Sequence, residues 1–337
     1  MKKYLPYCLH VCILVISGIN NLQAQSREPS RLFRVYEDND FLNIRGKGTD
    51  QAYTNGIRFD QFYIKKHASR LFIDRWMPTA GDSSINVFGW GLMQKMVTPG
   101  DISKTYDQPD DYAYAGALFV THSLFSYNKS KKYSLQTEIV LGIRGPAALA
   151  KETQIAVHKF MNYQKPMGWD NQLKTLPLIN ISFVAEKQLL SYGNFIELNG
   201  GAQLAAGNML QAIGFYPMIR IGKMAPYFNG FIGQYSTNRS EKKGKRSQFY
   251  LLFKPKTTFV FRNALMHGER MNTDKPDDNG LRETSNHRIR HRLTEIEYGA
   301  VFAHGHFSIA YTQTHSTEYN KGLYHHNIGN VSLFFSH

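Results

Sequence analysis

The chain has 337 residues, within reach of one large all-β barrel. Apolar residues make up 42%, aromatics 13% and charged residues 20%, a balance that excludes intrinsic disorder. A formal net charge of +14, from 40 Lys+Arg against 26 Asp+Glu, points to an anionic partner.

The first residues read as a secretory signal peptide over 1–24. Lys2 and Lys3 are a basic start, Leu9 to Ile19 an apolar core, and Ala24 a small residue before the cut. Removing it leaves a mature chain, 25–337, of about +12. Both cysteines, Cys8 and Cys12, lie inside the signal, so the mature chain has no disulfide, no catalytic thiolate and no Cys-zinc site. No later stretch reaches the roughly 18 apolar residues of a spanning helix. What remains is an exported, basic, aromatic-rich chain. Nucleic acid is disfavoured as its partner by the export signal and by the lack of any helix-turn-helix or RNA-binding signature.

The next signal is alternation with period two. Tyr133, Leu135, Thr137, Ile139, Leu141 and Ile143 share one face, opposite Ser134, Gln136 and Glu138. Ile196, Leu198, Ala202 and Leu204 oppose Glu197, Asn199 and Gln203. Ile296, Tyr298, Ala300 and Phe302 oppose Glu295 and Glu297. Strands of about ten residues with one apolar and one polar face fit a transmembrane barrel, and Tyr and Phe near strand ends fit its aromatic girdles. A soluble sandwich or lipocalin-like barrel alternates too.

In chain order the pattern predicts strands at 32–39, 53–63, 87–97, 112–125, 132–143, 176–189, 194–206, 210–222, 249–265, 294–304, 306–315 and 328–335. These twelve make an even number, as single-chain bacterial barrels have. The expected fold is an all-β, closed antiparallel transmembrane β-barrel. Residues 64–86, 223–248 and 266–292 read as long connections, with the basic run 241–246 as solvated loop. Residues 147–162 break the pattern. Rich in Ala, Leu, Lys, Glu and Gln after Pro146, they predict a short helix in the loop after the fifth strand. With the N-terminus in the periplasm, loops 40–52, 98–111 and 144–175 face the cell exterior.

Those loops hold the chemistry-bearing residues. Glu37-Asp38-Asn39-Asp40-Phe41 ends the first strand and Tyr53-Thr54-Asn55-Gly56 opens the second. Lys104 follows the third. Gln154 and His158, at i and i+4, project from one helical face. Histidine is the usual base for a water in ester hydrolysis. A hard cation such as calcium takes oxygens of the kind Asp40, Asn39 and Thr54 carry, and Lys104 suits a phosphate. Each has a plainer reading. Asp-Asn-Asp favours turns and Asn-Gly hairpins, one lysine among many is solvated, and an exposed helical histidine is commonly inert. The run His287 to Arg292 and the pair His325-His326 fit no ligand spacing and read as solvated loop. Gly168-Trp169 reads as a loop anchor against the helix.

These blocks, with Gly142-Ile143-Arg144-Gly145-Pro146 and Pro166-x-Gly168-Trp169-x-x-Gln172, resemble the outer-membrane lipid A 3′-O-deacylase family from about Asp38 to the last strand. The resemblance implies a twelve-stranded outer-membrane barrel of a Gram-negative bacterium. It implies an active site between the barrel wall and an external-loop helix, and a calcium-dependent esterase acting on lipid A of lipopolysaccharide. It puts His158 at the general-base position, with Asn39, Asp40, Thr54, Lys104 and Gln154 on the other site positions, Asp40 as a calcium ligand. Where some members carry an acidic residue six positions after the histidine, this chain has Gln164. A phospholipase using the same chemistry and a non-enzymatic porin-like barrel are the alternatives. A monomer is expected.

Overall fold

The computed structural model describes residues 30–44, 52–65, 67, 69, 71–237, 247–268, 271 and 289–337. The expected signal peptide with its two cysteines, the basic run 241–246 and most of 266–288 lie outside the described residues. Twelve antiparallel strands follow one another around a closed barrel: β1 Arg31–Asn39, β2 Ala52–Ile64, β3 Ile85–Thr98, β4 Ala115–Asn128, β5 Tyr133–Arg144, β6 Leu176–Tyr192, β7 Ile196–Gly207, β8 Leu210–Lys223, β9 Ser247–Asn263, β10 Arg292–His304, β11 Phe307–Ser316 and β12 His326–Ser336. β1 pairs with β12 from Leu32↔Ser336 to Asn39↔Gly329, which closes the ring. The largest departure from the sequence pattern is β4, which starts three residues late. Tyr112, Ala113 and Tyr114 are apolar because they are buried in a rim loop, not because they are strand.

The two faces of the wall differ as the alternation requires. Inward-facing charges are paired: Asp60 binds Arg34 at 2.7 Å and Arg58 at 2.8 Å, and Arg58 reaches Glu138 at 2.5 Å. Lys254–Glu297, Lys256–Glu295 and Arg220–Glu197 repeat this around the lumen. A charge withdrawn from bulk water costs several kcal/mol unless it is partnered, so the lumen is a lattice of ion pairs. The outer face carries exposed Phe33, Phe59, Leu92, Leu141, Phe261 and Phe302. That apolar belt is what a membrane barrel offers to lipid. None of the described helices is long and apolar enough to cross a membrane.

Two connections read as loops carry structure. Residues 224–237 fold back into the lumen at the end that holds both chain termini. A 3-10 turn, Tyr227–Asn229, and a short helix that we call α3, Phe231–Gln234, pack on Leu32, Phe62, Tyr127 and Phe334. Glu186 accepts from Tyr216 at 2.9 Å and Tyr227 at 2.7 Å, and Tyr235 stacks on Phe334 at 3.9 Å. The segment is therefore a plug, because its aromatic side chains have the lumen wall to bury against. At the same end, residues 71–84 climb the outside of the wall over β3 and β4, with a short helix α1, Phe72–Trp76. Asp74 of α1 meets His122 Nε2 at 2.6 Å and also binds Lys65 and Ser69. Burial pushes the Asp74 carboxyl up, but the hydrogen bonds from His122, Lys65 and Ser69 outweigh it and hold the group below its ordinary range.

Two outcomes follow. Phe228→Ala, which empties a fully buried plug position, costs about 3–5 kcal/mol of stability in denaturant unfolding in detergent. Because Asp74 is depressed in the folded state, its contribution is complete above the ordinary carboxylate pKa of 3.8 and is lost as pH falls below it. Limited proteolysis between 71 and 84 accelerates in that acid window for the wild type, and Asp74→Asn abolishes the pH dependence.

Candidate active site

At the rim opposite the termini, the chain leaves β5 through a 3-10 turn, Pro146–Ala148, and enters helix α2, Ala150–Phe160. The helix is shorter than the sequence pattern predicted, because Pro146 and a left-handed Leu149 (φ 57°) delay its start. It lies on the outside of the barrel, against β3 and β4. Gln94 of β3 donates to the Ala148 carbonyl at 2.7 Å. Gly116 of β4 makes the contact possible: a Cβ there would sit 2.4 Å from that of Ala150. Met96, Ile102, Tyr114, Ala150 and Trp169 form the apolar joint between wall, helix and loops. The return segment docks on the β3–β4 loop, Met167 N–H donating to Ile102 and Asn171 to the Thr105 carbonyl, each at 2.8 Å.

His158 and Gln154 share the inner side of α2. His158 is buried, 6% exposed, contrary to its expected exposure. Its Nδ1 lies 2.5 Å from the carbonyl of Gln164, and Tyr163 packs edge-on against the ring at 5.1 Å. A carbonyl can only accept, so Nδ1 carries the proton and Nε2 is the basic nitrogen of the neutral ring. The Gln164 side chain turns to the Lys165 carbonyl. The position that departs from the family pattern thus serves His158 through its backbone, which any residue supplies. Gln154 is 3% exposed and its Oε1 accepts from Trp169 Nε1 at 2.7 Å. Its Nε2 has no hydrogen-bond partner. A buried amide donor left without an acceptor costs about 1–3 kcal/mol, which an acceptor on a bound ligand would relieve.

The wall side of the rim comes from β1, β2 and β3, neighbours in the sheet. Asn39 is committed to a turn, its Oδ1 accepting from Phe41 N–H at 2.8 Å. Asp40 begins that turn and is buried. Thr54 sits at a β-bulge between Tyr53 and Asn55, and its hydroxyl meets that of Thr98 at 2.6 Å. A bulge re-aims a side chain out of strict alternation. The Thr54–Thr98 pair and the Gln154–Trp169 bond are not announced by any local pattern in the sequence. Only the Thr54 bulge brings Thr98 in, and no local pattern announces a bulge. Asn39, Asp40 and Thr54 thus share one rim with the helix pair. Lys104 is set on the exposed side of its loop, 3.6 Å from Asp101 and over Tyr106 at 5.6 Å. Its contact with Tyr106 holds the amine above its ordinary value. The expected solvated histidines also separate. His326 is buried and stacks on Tyr319 at 4.4 Å, whereas His325 stays exposed beside Glu318.

A buried carboxylate and neutral hydroxyl oxygens make a hard donor set, which suits calcium better than a thiophilic metal. Among the described residues no three His, Cys, Asp or Glu side chains converge as a metal cage. The donor set fits a cation bound by a single carboxylate.

Fold and site together define a closed twelve-stranded barrel with a polar, plugged lumen and a helix-covered polar site on its outer wall. A family model described as outer membrane protein LpxR matches residues 8–337, and the chain belongs to that family. Among solved structures, LpxR from Salmonella typhimurium superposes with a TM-score of 0.70 at 15% identity, over 90% of this chain and 99% of that one. The β domain of the Bordetella autotransporter BrkA reaches 0.43 at 10% identity, over 92% and 100% of the two chains. The translocator domain of NalP from Neisseria meningitidis reaches 0.42 at 7%, over 98% and 96%. These last two are too distant to carry an argument. No curated protein matches the sequence. Family and fold place the chain in a Gram-negative outer membrane.

Gly116→Leu tests the seat of the helix. The added side chain meets Ala150, costs about 1–3 kcal/mol as overpacking, and exposes 150–163 to protease while heat-modified gel mobility still reports a closed barrel.

Proposed function

We propose that the protein hydrolyses the 3′-O-linked acyl or acyloxyacyl ester of lipid A. The observation that carries this reading is His158 with Nδ1 pinned to a carbonyl, beside Gln154 with an unsatisfied buried amide, on a helix clamped to the outer wall. Lipid A acyl chains lie against that wall. With the termini in the periplasm, the rim stands at the outer leaflet and faces the cell exterior. A conducting pore has no use for this site, and the plug of residues 224–237 fills the lumen that a porin needs open.

His158 Nε2 takes a proton from water, and the water oxygen bonds to the ester carbonyl carbon. Gln154 Nε2 donates to the carbonyl oxygen as negative charge develops on it, with Trp169 holding the amide in that orientation. The bond from the carbonyl carbon to the sugar oxygen then breaks. The imidazolium returns its proton to that oxygen, leaving a sugar hydroxyl and a free fatty acid. A calcium ion at this rim would be held by Asp40, with the Thr54 hydroxyl and Asn39 as further oxygen donors. When bound, it supplies positive charge toward the ester carbonyl. Lys104 on the rim loop offers a point charge to a lipid A phosphate.

His158→Ala lowers the rate by about 10²–10⁴-fold and Gln154→Ala by about 10²–10³-fold. His304→Ala, at the termini end, retains the wild-type rate. Mass spectrometry of lipid A from cells expressing each variant reads the result. The wild type yields lipid A lighter by one 3′-linked acyl or acyloxyacyl group with both phosphates kept. Unchanged lipid A with accumulated lysophospholipid would instead assign the site to phospholipid. Chelation with EDTA abolishes turnover and calcium restores it, while Asp40→Ala raises the calcium requirement. Full activity in excess chelator removes the cation from the scheme.

A further inference from the structure

On the outer face of β5 to β8, away from the site on β1 to β4, the wall is indented. One depression of about 830 Å³ is lined by Tyr133, Ala185, Lys187, Leu189, Gly200 and Pro217, among others. A second, of about 330 Å³, runs on from it toward Pro78 of the segment that climbs the wall, between Leu135, Phe183, Leu204 and Ile213. They share Ala185, Ala202 and Phe215, so they form one groove. Each depression falls in the size range of ligand sites, about 300–1,000 Å³. Small residues make its floor and exposed Leu189 and Phe215 its walls. It runs from mid-wall to the termini end of the barrel.

That end is cationic. Lys187 lines the groove, and its amine donates to the carbonyl of Lys131 on the β4–β5 turn. Gln188 N–H donates to the Lys132 carbonyl at 2.9 Å, which locks β6 to the same turn. Lys187 thus stands at the mouth of the groove against the turn that carries Lys131 and Lys132. Glu186 faces away into the lumen, bound to Ser134, Tyr216 and Tyr227. Asp82, next to the Gly81 that lies over Tyr133, is the acid that adjoins the mouth. A lysine amine on a membrane wall is costly unless it reaches the interface or an anion.

We propose that this groove binds one glycerophospholipid of the inner leaflet, an acyl chain in the apolar trough and the anionic headgroup phosphate at the lysine-bearing mouth. The assignment to the inner leaflet rests on the orientation proposed above; the groove is otherwise independent of the deacylase reading. Its chemistry separates it from the surrounding shell of lipid, since an apolar trough here ends at Lys187 beside the lysine-bearing β4–β5 turn.

The test uses the mature full chain in nanodiscs of ether-linked dioleoylphosphatidylglycerol. The ether lipid cannot be hydrolysed, so failure of the esterase reading leaves this measurement intact. Native mass spectrometry of the protein released from the discs finds one retained phosphatidylglycerol. Ala202→Phe, which fills the trough, cuts retention at least tenfold. Lys187→Glu and Lys132→Glu, which leave the apolar wall untouched, each weaken it about fivefold. Replacing the lipid with the uncharged ether-linked diglyceride gives no retained adduct. As a site-resolved measurement, p-benzoylphenylalanine at Phe215 captures phosphatidylglycerol in excess over the same group at Phe261 on the outer face of β9. Equal capture at both positions means ordinary boundary lipid and overturns the proposal. So does undiminished retention in both the filled and the charge-reversed variants, retention of the diglyceride, or capture of a second copy of the chain at Phe215.

Discussion

The pairing of β1 with β12 is the constraint on which the rest of the molecule depends. In hydrocarbon an unpaired strand edge leaves a row of peptide groups without partners, each costing several kcal/mol. Eight residue pairs from Leu32↔Ser336 to Asn39↔Gly329 remove that edge. Closure then sorts every residue into lumen or exterior. Once Arg34, Arg58, Glu197 and Glu297 point inward, they must find counter-charges in the lumen, and they do.

A closed wall also decides where extra chain can go. Residues 224–237 enter at the termini end and fill the lumen with Phe and Tyr. The other additions lie outside: α1 with Asp74 on His122 near the termini, and α2 at the opposite rim. An esterase acting on a membrane lipid gains from this placement. Its substrate lies along the outer wall, so a site between wall and helix meets the ester without extracting the lipid far from the bilayer. The plugged lumen supports the wall at the termini end.

The site combines two kinds of holding. His158 is oriented by a backbone carbonyl and Gln154 by the indole of Trp169. Backbone support leaves the Nδ1 partner of His158 independent of the side chain at Gln164. Indole support is specific to its side chain: Trp169→Phe keeps the ring in the joint with Met96 and Tyr114 but loses the bond to Gln154.

The sequence by itself determined the class of fold and its strand count, because a membrane wall writes its two environments into alternate residues. The periods at 133–143, 196–204 and 295–303 correspond to wall segments whose glutamates, Glu138, Glu197, Glu295 and Glu297, all face the lumen in ion pairs. The Gln154–His158 pair was legible for a similar reason, since a spacing of four in a helix is local geometry. Tertiary structure alone decided what depended on residues far apart in the chain. Tyr112 to Tyr114 looked like strand because burial in a rim loop demands the same apolar residues. The 223–248 connection looked like loop because its burial partners, Leu32, Phe62 and Phe334, come from the two ends of the chain. His158 looked exposed because nothing within the helix reveals the wall it leans on. Thr98 joined the site only through a bulge at Thr54, a one-residue irregularity that sets a side chain's direction and leaves no period to read.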